Sequence, residues 1–358
     1  MIDHLNKLME YLSLASEDIC IINGSFQKIH EIESLKLSEY GKRSIIHVPK
    51  HLYKYYADTV TDGVNYTRQN LENNTVFMQN PVKFNDIFYC DIVLEKEEYI
   101  YSRLKEFCSR AGIENASKYD KNELILKLIE KLYYAQKETD DIINAFDFND
   151  VIAQNTTNKM FCVDFKNRLF SGIEAPDAIQ GALEKEYDFY INNCKTMFAV
   201  SSFTVNPDSQ LMWAHYANNH KGICLEYEID NINDIMCHLF PVIYSRAKKD
   251  ISEKLIQFID SDIDDETLWK IYFNGPLRKN IEWMYENEWR LIYPKNKDNP
   301  DGYSRKFGRI SKVYLGYRME EDARNYYIEE CNKRNIPYVE MDKDPIRFAM
   351  KEKEKSEN

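Results

Sequence analysis

Residues 212–228 read MWAHYANNHKGICLEYE. An indole, an imidazole and a phenol fall within four residues at Trp213, His215 and Tyr216, and Asn218, Asn219 and His220 follow. Such rings give flat stacking surfaces with hydrogen-bonding edges. Lys221-Gly222 then turns the chain into a strand. Its alternation sets Ile223, Leu225 and Tyr227 on one face and Cys224, Glu226 and Glu228 on the other. The block therefore reads as a short helix or turn delivered into a sheet. Its aromatics fit a ligand wall and equally fit a corner that packs helix on sheet.

Outward from this block, strands and helices mix. Upstream, MFAVSSFTV (197–205) is a strand, preceded by a helix over 174–195. An amphipathic helix over 122–146 carries Leu124, Leu128, Ile129, Leu132, Ile142 and Ile143. IIHVPKHLYKYY (45–56) is an early strand, followed by a short helix and a strand around Thr75–Met78. Downstream come a helix over 251–272, the strand-like run WMYENEWRLIY (283–293), and a strand–helix–strand tail over 313–341. This order predicts an α+β fold, a mixed sheet with a large helical insertion at about 95–195. The expected division is a helical or mixed extension over 1–45 (Leu5, Leu8, Met9 and Leu12 at helical spacing), one α+β domain over 46–350, and a frayed tail over 351–358.

The 358 residues carry a net charge of −12, which argues against nucleic-acid capture by a global field. With 26 Tyr and 18 Phe the chain can build a large aromatic core. No stretch reaches the roughly 18 unbroken apolar residues of a membrane helix, and the start MIDHLNKLMEYL lacks a basic signal-peptide head. The expectation is a cytoplasmic protein with no membrane partner. The eight cysteines are dispersed without a CxxC pair, so they read as small buried hydrophobes and no metal site is expected. GxGxxG, GxxxxGK[ST], HExxH and GxSxG are absent from the sequence.

Two further clusters remain. In PVKFNDIF (81–88), Asn85 and Asp86 form a turn signature that either pins a loop through Phe84 and Phe88 or presents two polar groups to a ligand. In the late strand, Glu288 and Arg290 are two apart and share a face, while Trp289 and Leu291 take the other. Side by side they make an ion pair; beside aromatic walls, Glu288 instead orients a reacting group.

Together, LYKYY (52–56), PVKFNDIF (81–88), MWAHYANNHKGICLEYE (212–228) and YENEWRLI (285–292) resemble a bacterial family known only as a domain of unknown function. Its members carry an early Lys-Tyr strand, a P-x-x-F-N-D-P-F loop, a W-x-H-Y-A-x-x-H-x-G-x-C-x-E block and a Y-E-x-E-W-R strand. The resemblance runs from about His51 to about Arg347, with Ile87 where the loop usually has proline. That layout is in turn similar to the ADP-ribosyltransferase fold, notably to DNA-targeting ADP-ribosylating toxins. The resemblance implies NAD as substrate and Glu288 as the catalytic glutamate. It places Tyr53 or Lys54 against NAD, and Trp213, His215 or Tyr216 beside the nicotinamide; Asn85, Asp86 and Arg290 complete the expected binding residues.

Three functions follow as expectations. The first is an NAD-using ADP-ribosyltransferase or NAD glycohydrolase in a toxin or antiviral-defence setting, with a macromolecular acceptor or operon partner that the sequence does not name. The second is a non-catalytic small-ligand sensor or interaction module, whose partner surface would be an exposed apolar face on the 122–146 helix. The third, a nuclease, has only Lys54, Lys83, Arg278, Lys279 and Arg290 to gather into a positive cleft, and that cleft would equally suit a pyrophosphate.

Overall fold

The computed structural model describes residues 19–22, 25–28, 49–137, 156–229, 238–252, 255, 274–296, 298–299 and 301–354. The N-terminal hairpin β1 (Ile19–Ile22) and β2 (Ser25–Lys28) is followed by β3 (His51–Tyr56), α1 (Tyr66–Asn73), β4 (Thr75–Gln79) and a 3₁₀ turn over Pro81–Lys83. Then come β5 (Ile92–Val93), α2 (Lys96–Arg110), α3 (Lys121–Lys137), α4 (Thr156–Phe170), α5 (Ala175–Thr196), β6 (Phe198–Thr204), α6 (Gln210–Tyr216) and β7 (Ile223–Glu228). The chain continues through β8 (Leu239–Pro241), β9 (Ile243–Ser245), β10 (Lys249–Asp250), α7 (Asn274–Leu277), β11 (Arg278–Asn280), a 3₁₀ turn over Ile281–Glu286 and β12 (Glu288–Pro294). It ends with β13 (Gly302–Lys306), β14 (Arg309–Leu315), α8 (Glu321–Arg334), β15 (Tyr338–Lys343) and β16 (Met350–Glu352). The architecture is α+β around a mixed sheet.

The chain divides into two compact units, one of residues 1–90, 196–247 and 276–358, the other of 91–195 and 248–275. The second unit holds the expected insertion. There α2 packs on α3 and α4 through Leu104, Phe107, Cys108, Leu124, Leu128 and Phe161, all buried, with the Phe107 and Phe161 rings 4.5 Å apart. Arg103, fully buried on α2, donates to Glu186 of α5 at 2.8 Å. A short parallel pair, β5 with β10, closes this unit. Leu124 and Leu128 face the interior, so the apolar surface expected on the 122–146 helix is buried at both positions. Leu132 and residues 138–146 lie outside the described side chains, as do most of the 251–272 helix and the residues before 19.

The first unit carries ten strands of one sheet, in the order β13-β4-β6-β3-β7-β14-β15-β16 with β12 and β8 beyond β6, among the described residues. β7 lies between β3 and β14 and is buried on both faces, which is why its sequence mixes apolar residues on both sides. A second sheet, β11-β9-β1-β2, draws residues 19–28 into this unit, with Ile19 opposite Tyr244. β16 pairs with β15, so the tail expected to fray from 351 begins inside a strand; residues 355–358 lie outside the described ones.

One irregularity positions the site. β12 covers a whole edge of β6, from Glu288 opposite Thr204 to Pro294 opposite Phe198. The other edge is shared: β4 meets it at Val200 and β3 at Thr204. Between those points β3 and β4 diverge, leaving the edge at Ser201–Phe203 open.

The 212–228 block is held by packing. Ser209 caps α6 by accepting from the Met212 amide at 3.3 Å. The helix then ends in three consecutive left-handed residues, Asn218, Asn219 and His220 (φ 47°, 54° and 69°). Asn tolerates that conformation, and such residues occur singly as a rule. The His220 amide donates to the Trp213 carbonyl at 3.1 Å, and the His220 carbonyl accepts from Arg318 at 2.9 Å. Gly222 follows because a Cβ there would lie 2.0 Å from the Tyr56 carbonyl oxygen. Gly222→Ala is expected to cost about 2 kcal/mol or more through that backbone clash. Gly63→Ala, with φ 78° and nothing within 4 Å, should cost about 1 kcal/mol of left-handed strain alone. Urea denaturation of both variants checks the difference; equal losses would overturn the clash argument.

Candidate functional site

The opening beside β6 is the floor of a cleft of about 190 Å³. Tyr53, Lys54 and Tyr55 of β3, Phe77 and Gln79 of β4, and Val200–Thr204 of β6 line it. So do Phe84, Asn85, Asp86 and Tyr89 of the loop after β4, Met212 and Tyr216 of α6, and Lys279, Glu286 and Glu288. The registers explain the convergence. Tyr53 and Glu288 both lie opposite Thr204, and Gln79 lies opposite Val200. Directly opposed residues share a face, so all three strands present these side chains on one side of the sheet.

The charged centre is a closed cluster. Arg290 clamps Glu288 with two bonds, Nε to Oε1 at 2.8 Å and Nη2 to Oε2 at 3.0 Å. Lys279 Nζ donates to Glu288 Oε2 at 3.0 Å and also to Glu286 Oε2. Tyr216 donates its hydroxyl to Glu286 Oε1 at 2.6 Å. Glu288 is 4% exposed and Arg290 0%. The Glu288 amide donates to the Tyr244 hydroxyl at 2.8 Å, and its carbonyl accepts from Val242 at 2.9 Å. The residue is thus fixed at backbone and side chain.

The two carboxyls titrate in opposite directions. Burial pushes Glu288 up, but Arg290, Lys279 and the Ser202 hydroxyl outweigh it and hold the carboxyl well below the ordinary range. Burial and the neighbouring Glu288 charge push Glu286 up against Lys279 and Tyr216. Glu288 is therefore the standing anion, while Glu286 takes a proton more readily. Lys54 is different again. Its ammonium donates to the Ser202 carbonyl at 2.8 Å, a group left without a strand partner where β3 and β4 separate. Burial pushes Lys54 down to about 8, with the Glu288 charge opposing.

Of the residues singled out in the sequence, Glu288, Tyr53, Lys54, Asn85, Asp86 and Tyr216 come together in the cleft. Three do not line it. Trp213 is 0% exposed, donates Nε1 to the Pro207 carbonyl at 2.8 Å and meets the Tyr55 ring edge-on at 5.2 Å. It is the corner that packs α6 on the sheet. His215 lies on the exposed side of α6, its ring 6.5 Å from that of Tyr285. Arg290 stands behind Glu288, its guanidinium 4.1 Å from the centre of the Tyr89 ring. Of the five basic residues considered for a positive cleft, Lys54 and Lys279 line it. Glu286 was not singled out, although it sits two residues before Glu288; its turn gives no strand periodicity from which to read its direction.

Asp86 makes the expected local turn, accepting from the Phe88 amide at 2.9 Å, and Phe84 packs edge-on against Tyr89 at 4.2 Å. Cys90, Cys108, Cys162, Cys224 and Cys331 are buried, as small hydrophobes would be. Among the described residues no cluster of three or more His, Cys, Asp or Glu is placed to hold a metal ion, and no helix is long and apolar enough to cross a membrane.

Comparison with known families fits this region to an uncharacterised domain. The model of a protein of unknown function, DUF2971, matches residues 212–291. The match takes in the 212–228 block, Lys279, Glu286, Glu288 and Arg290, and stops short of β3 and the 81–88 loop. No curated protein and no solved structure matches the chain.

Lys279→Met removes the one cation shared by two buried carboxylates. It is expected to cost about 3 kcal/mol, the scale of breaking a buried pair from one side. Lys279→Met with Glu286→Gln should recover part of that loss, as urea midpoints would show; a loss undiminished in the double variant would overturn the shared-cation reading. Lys54 adds a pH dependence. Its native value of about 8 lies below the ordinary 10.5, so the unfolded chain holds more protons between those values. Stability therefore rises with pH across that window, and Lys54→Met should flatten the rise.

Proposed function

We propose that the cleft binds the nicotinamide riboside end of NAD and cleaves its glycosidic bond, as an ADP-ribosyltransferase or NAD glycohydrolase. The observation that carries this reading is the pair of glutamates held on one lysine in an aromatic-walled cleft, with pKa values driven in opposite directions. Such splitting is how one site supplies both a fixed anion and a proton carrier. When the bond to nicotinamide breaks, its electron pair leaves with the nicotinamide nitrogen and positive charge develops on the ribose. The Glu288 anion stabilises that oxocarbenium-like state, as carboxylates do in glycoside hydrolysis. The acceptor oxygen then adds to the anomeric carbon, and its proton passes to Glu286, whose raised pKa makes it the better base. Tyr53, Phe84 and Tyr216 supply the stacking walls, and Asn85 and Asp86 the hydrogen bonds to hydroxyls. The toxin or defence setting rests on the resemblance to DNA-targeting toxins alone.

A second reading, a ligand-binding pocket without turnover, draws on the bidentate Arg290 clamp, which occupies both oxygens of Glu288. The two readings separate in one experiment. Nicotinamide release is measured for the wild type, Glu288→Gln and Glu286→Gln, with folding checked by circular dichroism. Catalysis predicts release by the wild type, a loss of at least about 100-fold in Glu288→Gln, and in Glu286→Gln the loss of the rise in rate with pH. A thermal shift with NAD but no nicotinamide in any variant assigns the pocket to binding. Neither shift nor release would overturn the NAD reading.

A further inference from the structure

Two lysines line the cleft, and the fold treats them in opposite ways. Lys279 is clamped between Glu286 and Glu288 by an ion pair with each. Lys54 reaches the same cleft from β3, and among the described residues it makes no ion pair. Its hydrogen bond goes to a neutral group, the Ser202 carbonyl at 2.8 Å. Its amine lies 5.3 Å from the centre of the Phe203 ring and 5.6 Å from that of Tyr56. Burial favours the neutral amine here, with the Glu288 charge opposing. One N–H still donates to the Ser202 carbonyl, and the nitrogen lone pair remains free. Gln79, Asn85, Asp86, Ser202 and Thr204, all able to bind hydroxyls, line the same cleft.

We propose that Lys54 is a nucleophilic amine that condenses with a small hydroxyaldehyde bound in the cleft, forming an imine. The nitrogen lone pair attacks the aldehyde carbon, and the carbonyl π pair moves onto oxygen, which takes up the proton that nitrogen releases. The resulting hydroxyl leaves as water with a proton from solvent, the nitrogen lone pair closes the C=N bond, and the remaining N–H proton returns to solvent. Aldehyde plus amine gives imine plus water, with no oxidant or reductant. The ligand class follows from the lining and the volume. About 190 Å³ beside five hydroxyl-binding side chains suits an open-chain sugar of three to five carbons. The lowered basicity of Lys54 supports the geometry. A value of about 8 leaves roughly a quarter of the amine neutral at pH 7.5, against about a thousandth for an ordinary lysine. The proposal does not depend on NAD turnover.

The test uses the full chain at pH 7.5 with glyceraldehyde and cyanoborohydride, which reduces an imine to a stable secondary amine. Peptide mass spectrometry then reads the labelling rate at each lysine. Lys54 is expected to label at least about 10-fold faster than the exposed lysines, and Lys279 to stay unlabelled. Lys54→Arg keeps a donor for the Ser202 carbonyl and should fold as the wild type does while losing the fast-labelled site. Labelling spread evenly over surface lysines, with Lys54 no faster than the rest, would overturn the proposal. So would fast labelling at Lys279 in place of Lys54. Because the readout is a covalent adduct formed without NAD, failure here leaves the NAD reading standing, and absence of NAD turnover leaves this one standing.

Discussion

The site depends on one backbone constraint: a single edge of β6 is asked to serve two strands. β4 takes it at Val200 and β3 at Thr204, so the residues between lose their ladder. A buried carbonyl without a partner costs about as much as a lost hydrogen bond, so the gap needs a donor of its own. Lys54 provides it for Ser202, from the very strand whose departure opened the gap. The cleft and the side chain that completes its floor thus come from the same divergence. A sheet with β3 or β4 paired along the whole edge would have neither.

Electrostatics follow from that geometry. The strand on the intact edge, β12, brings Glu288 and Arg290 to the cleft face, and the turn before it brings Glu286. Two carboxylates and two cations in a low-dielectric setting are stable only as a neutral set with good hydrogen bonds. The chain meets this by placing Arg290 on Glu288 and Lys279 between the two glutamates. Lys54 is the cation left over, and burial is free to act on it. The division between clamped and unclamped charges is therefore set by which strand each residue stands on.

Much of this was legible in the sequence. Strand alternation put Glu288 and Arg290 on one face, and β3, β4, β6, β7, β14 and β15 stand where apolar and aromatic runs placed them, whereas the strand-like run 283–293 is a 3₁₀ turn up to Glu286 and a strand only from Glu288. Convergence was harder to read. Lys279 and Glu286 belong to a three-residue strand and a 3₁₀ turn, too short for any period to declare a direction. The meeting of β3 and β4 on one edge of β6 is a long-range register, and no local pattern encodes it. Trp213 shows the opposite difficulty. A ring beside His215 and Tyr216 suits ligand stacking, yet here its indole is needed to seal α6 against Tyr55.

Backbone packing accounts for the residue types and spacing within the 212–228 block. Counting from Trp213, His220 must return its amide to the Trp213 carbonyl, which requires three left-handed residues in a row after α6. Gly222 must then pass the Tyr56 carbonyl, and Gly316 must pass that of His220, each where a Cβ would lie 2.0–2.3 Å from oxygen. The Gly222 carbonyl accepts from the Gly316 amide at 3.0 Å, which ties the turn to the end of β14. Each position is answerable to backbone packing before any ligand is considered. Tyr216 is the member of the block that reaches the charged cluster, through its hydroxyl on Glu286. The block thus forms mainly the joint that carries β7 into the sheet. The proposed chemistry rests on residues with weaker sequence signals, Lys54, Lys279, Glu286 and Glu288, whose common address is the cleft beside β6.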